Sequence, residues 1–272
     1  MSGARRRPDA PATPAAGDKL QSAAVPEPSA ADGTGLPAMG GADGAGAPAC
    51  GEAAAGNPLR AGLAAHLGPE VLDYLGSLRI GIAGAGGLGS NCAMHLVRSG
   101  LRRLVLVDHD VVEASNLNRQ CYFAAQVGQP KALALAANLR AVAPDLELTP
   151  IRGRVDRDNA PALFAGCAAV VEALDDPRAK KALAEALLPG AALLVAASGI
   201  GGWGRAGDLA VRRVRRNFIL VGDGRTPCDA DHPPLSPTVG AAAAMQADAL
   251  LAHFLELHQH DTARTGREDG HA

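Results

Sequence analysis

From residue 57 onward, short runs of aliphatic side chains alternate with longer stretches whose apolar positions recur at helical spacing. Leu59, Leu63 and Leu67, continued by Val71, Leu72 and Leu75, predict one or two short helices broken near Gly68-Pro69. Strand-like runs follow at 79–84, 104–108, 146–151, 168–174 and 191–197, separated by helical patterns at 87–99, 130–142, 158–165 and 177–188. This β-α-β order predicts an α/β fold: a doubly wound, Rossmann-like, mostly parallel sheet with right-handed crossovers. After Ser198 the texture changes. "GIGGWGRAGDL" reads as a glycine-rich connection, and runs at 209–214 and 218–221, joined by Arg215-Arg216-Asn217, predict antiparallel strands toward the C-terminus. Residues 223–237 read as a Pro/Asp-rich loop, 239–258 as a final Ala-rich helix, and the polar residues 259–272 as a flexible end.

Composition narrows the class. Residues 1–57 are rich in Ala, Pro, Gly and Asp, with almost no large apolar side chains, so they cannot bury enough surface to offset ordering entropy. They are expected to form a disordered tail, leaving one domain at 58–258. The net charge of −2 argues against a dedicated nucleic-acid binder. No run of about 18 apolar residues predicts a membrane span. Arg5-Arg6-Arg7 has no apolar segment after it, so no secretory signal is expected. The cysteines at 50, 92, 121, 167 and 228 contain no C-x-x-C pair, which predicts no structural zinc and a reduced, cytoplasmic protein.

The first strand ends in "RIGIAGAGGLGSN", which sets Gly84, Gly86 and Gly89 in G-x-G-x-x-G before a helix. The first glycine serves the turn, the second lets backbone approach a phosphate, and the third permits close helix–strand packing. Asp108 ends the next strand, nineteen residues after Gly89, where an acid can bind ribose hydroxyls. To this point a NAD-dependent oxidoreductase fits as well as an ATP enzyme.

The segment that follows, "DHDVVEASNLNRQCYFAAQVGQPKALALAANL", carries Arg119 and Lys131. Pro130 reads as a first helical position. Lys131 then lies near the positive end of a helix dipole, a mild conflict that an anion would relieve. Arg119 offers a planar fork for phosphate, and Asn116 and Gln120 offer amide donors. A dinucleotide dehydrogenase has no need of two cations here; a triphosphate does. The strand 168–174 is expected beside the first strand, across the switch-point crevice. Asp176, before Pro177, reads as a helix N-cap, which leaves Asp175 free as a ligand for Mg²⁺.

Together, Gly84-Ala-Gly-Gly-Leu-Gly89, Asp108-x-Asp110, Ser115-Asn-Leu-Asn-Arg-Gln120, Gly128-Gln-Pro-Lys131 and Asp175 resemble the ThiF/MoeB family, bacterial relatives of ubiquitin-activating enzymes. The resemblance spans about residues 59–258 and is strongest to the short ThiF-like branch linked with thiamine biosynthesis, through "VVEALDDPRAKK", "VAASGIGGWG" and "VGDG". It implies adenylylation by MgATP of the C-terminal Gly-Gly carboxylate of a small β-grasp, ThiS-like sulfur carrier, with release of pyrophosphate. It further implies that Gly86 and Gly87 contact ATP, that Asp108 and Asp110 lie at the nucleotide with Asp108 on the ribose, that Asn116, Arg119 and Lys131 meet the phosphates and that Asp175 meets the metal. Family members are homodimers that place an N-terminal arginine on the partner's phosphate; ungapped counting reaches Arg60. Some use a cysteine in the later half to handle sulfur. Cys228 is the candidate in position, but with nothing electropositive adjacent in sequence it reads as an incidental loop thiol. Arg212, Arg213, Arg215 and Arg216 read either as a solvated strand face or as a docking site for an acidic carrier. Other acceptors, such as a tRNA base or a peptide, and a non-catalytic nucleotide-binding module remain open.

Overall fold

The computed structural model describes residues 57–268, so the predicted tail, apart from Asn57, lies outside the described residues. Asn57 caps the first helix: its side-chain oxygen accepts from Leu59 N–H (3.0 Å) and Arg60 N–H (3.4 Å). Pro58 then starts α1 (Pro58–Leu67) at a position that needs no N–H. Gly68, at φ +77°, breaks the chain into α2 (Pro69–Ser77), as the Gly-Pro pair predicts.

Five strands and four helices follow in the predicted order. They are β1 (Arg79–Ala83), α3 (Gly87–Arg98), β2 (Arg103–Asp108), α4 (Lys131–Val142), β3 (Glu147–Arg152), α5 (Ala160–Leu163), β4 (Ala169–Glu172), α6 (Pro177–Leu187) and β5 (Leu193–Ala197). The hairpin β6 (Ala210–Arg215) and β7 (Phe218–Gly222) completes a seven-stranded sheet ordered β3-β2-β1-β4-β5-β7-β6. All pairings are parallel except β6–β7. The fold is thus the doubly wound α/β sheet expected, with its antiparallel pair near the C-terminus. Two boundaries differ. Pro130 is the N-cap rather than the first residue of α4. The last helix, α7, runs from Ser236 to Glu268, ten residues past the predicted end, because its polar continuation has no Gly or Pro stop before Gly266.

Period-two alternation sorts the strand side chains onto two faces. Ile80, Ile82, Leu104, Leu106, Val171, Val195 and Val221 join α3, α4 and α7 in one core; Ala83, Val105, Val107, Val170 and Leu194 join Phe164 and Leu183 in the other. Gly81 on β1 leaves room for Phe164, whose ring would lie 2.4 Å from an added Cβ. Helix α7 is long and apolar enough by composition to cross a membrane, but half of its most apolar stretch is buried, and it packs on α3 through Ala242, Ala243, Ala247 and Leu250.

Candidate nucleotide-binding and activation site

Strand order places β1 between β2 and β4, so the chain leaves the sheet in opposite directions on either side of β1. A crevice therefore opens at the C-terminal ends of these strands. The glycine turn fills its floor. Gly84 has φ +97° and approaches the carbonyl of Ala173, after β4, so closely that an added Cβ would sit 2.5 Å from the oxygen. At Gly89 an added Cβ would lie 1.8 Å from the Gly84 carbonyl oxygen, which brings α3 against the turn. Gly86 differs: its nearest neighbour, Gln120 Nε2, would be 3.9 Å away. Gly84 and Gly89 are glycines for packing, whereas Gly86 leaves open space. It is also the N-cap of α3 and offers no side chain to the first-turn N–H groups, so this end suits an anion.

The segment from Asp108 to Lys131 is sewn to this turn. Asp108, 9% exposed, accepts from Ala85 N–H (2.6 Å) and Asp110 N–H (2.8 Å). Tyr122 O–H donates to the Ala85 carbonyl (2.7 Å), and burial pushes its phenol well above the usual range. Asn91 Nδ2 donates to the carbonyls of Gly87 (2.6 Å) and Arg119 (2.8 Å), and Cys121 N–H donates to Ser90 Oγ (3.0 Å). The methylenes of Arg119 lie 3.5–3.6 Å from the Cβ position of Gly87. Its Nη1 donates to the Ser115 carbonyl (3.1 Å) and to Asn118 Oδ1 (2.7 Å), and Asn118 Nδ2 reaches the carbonyl of Pro234 (3.2 Å). Asn118, which carried no expectation, thus braces Arg119 and ties it to the loop before α7.

Two expected phosphate contacts have partners within the chain. Asn116 is buried, and its Oδ1 accepts from Glu113 N–H (3.1 Å), closing the short turn Ala114–Asn116. Lys131 is not a solvated lysine: it is 7% exposed, and its Nζ meets Asp110 Oδ2 at 3.0 Å. The anion that relieves the dipole conflict is this carboxylate. Desolvation works to raise the Asp110 pKa, but the Lys131 hydrogen bond and charge, with His109 and Arg154, hold it below the ordinary value.

Asp175 stands across the crevice in the exposed loop after β4, and no hydrogen bond or ion pair ties it down among the described residues. Asp176 caps α6 by accepting from Arg178 N–H (3.0 Å), as expected. Arg60 is not brought to this group; its guanidinium pairs with Asp73 of α2 at 2.6 Å. Cys92 and Cys167 are buried core thiols, with Cys92 pushed up to about 12 by desolvation. Cys228 corrects the sequence reading. Desolvation raises its thiol pKa, but Arg119 and Lys180 both act to lower it, so electropositive groups do face it across the fold.

Three features had no expectation. Glu172, 2% exposed at the end of β4, bonds Lys180 Nζ through both oxygens at 2.9 Å. Burial raises its pKa, and Lys180 opposes the shift. Gln246 of α7 donates to the carbonyls of Glu172 (3.1 Å) and Val195 (3.3 Å), pinning β4 to β5. Asp223 gathers Arg225 N–H (2.7 Å), Thr226 N–H (2.9 Å) and Thr226 O–H (2.5 Å). An acid at an inward strand position, as in "VVEALDD", was the one readable signal for Glu172.

The donor set suits a magnesium nucleotide. Gly86 leaves the approach to the α3 N-terminus open, Arg119 Nε and Nη2 have no partner among the described residues, and Asp175 is an unengaged hard oxygen donor. Asp108, His109 and Asp110 also cluster within metal-ligand range. Their oxygens are already engaged by backbone N–H groups, His109 and Lys131, so Asp175 is the better fit.

The ThiF family profile matches residues 60–266. The chain belongs to the ThiF family. It is similar to the molybdopterin-synthase adenylyltransferase of Salmonella typhimurium, 30% identical over 195 residues that cover 68% of this chain and 77% of that protein. It is also similar to the SAMP-activating enzyme E1 of Haloferax volcanii, 43% identical over 111 residues. That match covers 40% of this chain and spans 41% of the archaeal protein. Among solved structures, the E. coli tRNA N6-threonylcarbamoyladenosine dehydratase in complex with ATP shares the fold at a TM-score of 0.65 and 24% identity. The alignment covers 75% of this chain and 95% of that one.

Proposed function

We propose that this ThiF-family chain adenylylates the C-terminal Gly-Gly carboxylate of a ThiS-like β-grasp sulfur carrier, using MgATP, in the cytoplasm and as a homodimer. The supporting observation is the crevice at the β1–β4 switch point. Into it face an open Gly86, an Arg119 with half its fork free, and an unengaged Asp175. The carrier carboxylate attacks the α-phosphorus, a P–O bond forms, the bond to the β-phosphate oxygen breaks, and pyrophosphate leaves. The nucleophile is already ionised, so no general base is required, and catalysis is positioning plus charge neutralisation. In this reading Asp108 holds the ribose edge of the nucleotide, Gly84, Gly86, Gly87 and Gly89 form its phosphate floor, and Asn116, Arg119 and Lys131 lie along the phosphates. Asp110 keeps Lys131 oriented through their 3.0 Å pair. Asp175 would hold Mg²⁺, which supplies further charge neutralisation when bound. Arg60 of one protomer would serve its partner's phosphates.

Relatives of this chain include tRNA threonylcarbamoyladenosine dehydratases, one of them from Escherichia coli, 33% identical over 143 residues, which favours a tRNA-linked acceptor as the second reading. One experiment separates the two. Candidate Gly-Gly-ended carriers and total tRNA are incubated with protein and MgATP and analysed by mass spectrometry. An added AMP on one carrier is the expected result. Modification of tRNA alone, with every carrier unchanged, overturns the proposal.

A further inference from the structure

Strand β6 is unlike the other six. It is the sheet's edge, and every residue from Ala210 to Arg215 is exposed. Arg212, Arg213, Arg215 and the adjoining Arg216 have no carboxylate partner among the described residues. Arginines and the irregularity between Arg213 and Arg215 would suffice to protect an edge from aggregation. Protection does not account for Val211 and Val214, which are 46% and 52% exposed between those charges. Apolar residues set among arginines are the composition of a protein-docking surface.

The strip also leads to the crevice. Strand β6 runs against β7, so its start, Ala210 opposite Gly222, lies at the end where the parallel strands deliver their loops. There the Arg212 guanidinium covers Gly224, 2.7 Å from where a Cβ would be. Four residues further along that loop, the Cys228 thiol feels Arg119 and Lys180. A continuous path therefore runs from β6, over the 223–228 loop, to Arg119 at the glycine turn.

We propose that β6 docks the body of the acceptor protein, an acidic β-grasp carrier, with its C-terminal tail crossing the 223–228 loop to reach the nucleotide. This inference rests on the carrier reading above and adds the surface that recognises the carrier. Opposite charges across such a surface raise the association rate at low salt.

The test uses the full chain and whichever Gly-Gly-ended carrier accepts AMP. In the variant R212E/R213E/R215E/R216E the carrier KM rises about tenfold or more, while kcat and the ATP KM stay within about twofold. Added NaCl raises the wild-type carrier KM and not that of the variant. A short peptide bearing only the carrier's C-terminal residues is used equally by both proteins, which also reports that the variant is folded. Val214→Asp gives a smaller rise in the same direction. A carrier KM unchanged in both variants overturns the surface while leaving the function intact. So does an arginine variant that loses affinity for tRNA but not for carrier, which would mark β6 as a nucleic-acid face. Failure of wild type to adenylylate any carrier overturns the function reading, and this surface with it.

Discussion

The two rims of the crevice are built in opposite ways. On the β1–β2 side, Asp108, Tyr122, Asn91 and Ser90 lock the segment 108–122 onto the glycine turn, and Lys131 is fixed by Asp110. Across the gap, Asp175 is exposed and unengaged, and the loop 223–235 carries exposed Gly224, Cys228 and Leu235. The first rim is set before anything binds. The second is left for a ligand to complete. That division suits an enzyme that holds one invariant nucleotide and must admit a macromolecular acceptor, because preorganised charge is most effective where charge develops.

Substitutions should fail differently on the two sides. The largest contrast lies within the glycine turn. Gly89→Ala forces a Cβ to 1.8 Å from the Gly84 carbonyl and should cost about 3 kcal/mol or more in urea unfolding. Gly86→Ala meets nothing nearer than 3.9 Å, should leave unfolding within about 1 kcal/mol, and should weaken ATP binding measured by calorimetry. Equal destabilisation by both would erase the distinction between packing and ligand glycines.

Next come the cations of the locked rim. Lys131→Met and Arg119→Ala should each cut ATP–pyrophosphate exchange, measured with carrier, by about 10²- to 10³-fold. Lys131→Met alone should also lower stability, because it strands Asp110. If exchange is unchanged in both variants, the phosphate assignment is wrong. On the open rim, Asp175→Asn should leave unfolding within about 0.5 kcal/mol and shift exchange to higher Mg²⁺ demand, read by titrating the metal. A stability loss there would mean the rim is not open.

The smallest effect is in acid. Desolvation opposes ionisation of Asp223, but Thr226, the Arg225 backbone and Arg205 hold its pKa at about 2, below the ordinary 3.8. A lowered carboxylate pKa contributes stability that is present above the ordinary value and lost as pH falls through the folded one. Stability should therefore decline between about pH 4 and pH 2, and Asp223→Asn should flatten that limb in denaturation followed against pH. Asp110, also lowered, acts in the same direction, so the N-terminal rim adds to the slope.

Much of this was legible beforehand, for identifiable reasons. Strand and helix order followed from periodicity, since aliphatic alternation and helical spacing are local. Caps were readable where a single side chain closes its own helix, as at Asn57 and Asp176. The glycine motif, Arg119, Lys131 and Asp175 were visible as residue types in order, and the sheet brings them to one crevice. Their partners were not visible. That Lys131 is buried on Asp110, that Asn116 closes its own turn, and that Asn118 reaches Pro234, 116 residues away, depend on distances no local pattern encodes.

Cys228 and the β6 arginines show the same limit most plainly. In sequence Cys228 sits among Asp229 and Asp231 with no cation beside it, yet Arg119 and Lys180 converge on it from 109 and 48 positions away. The chain by itself determined the element order, the glycine turn and the list of charged candidates, because each is written in a few neighbouring residues. Only the tertiary structure decided which rim is locked, which charges are already paired, and that the basic edge strand opens onto the nucleotide crevice, because those depend on strand order and on contacts between residues far apart in the chain.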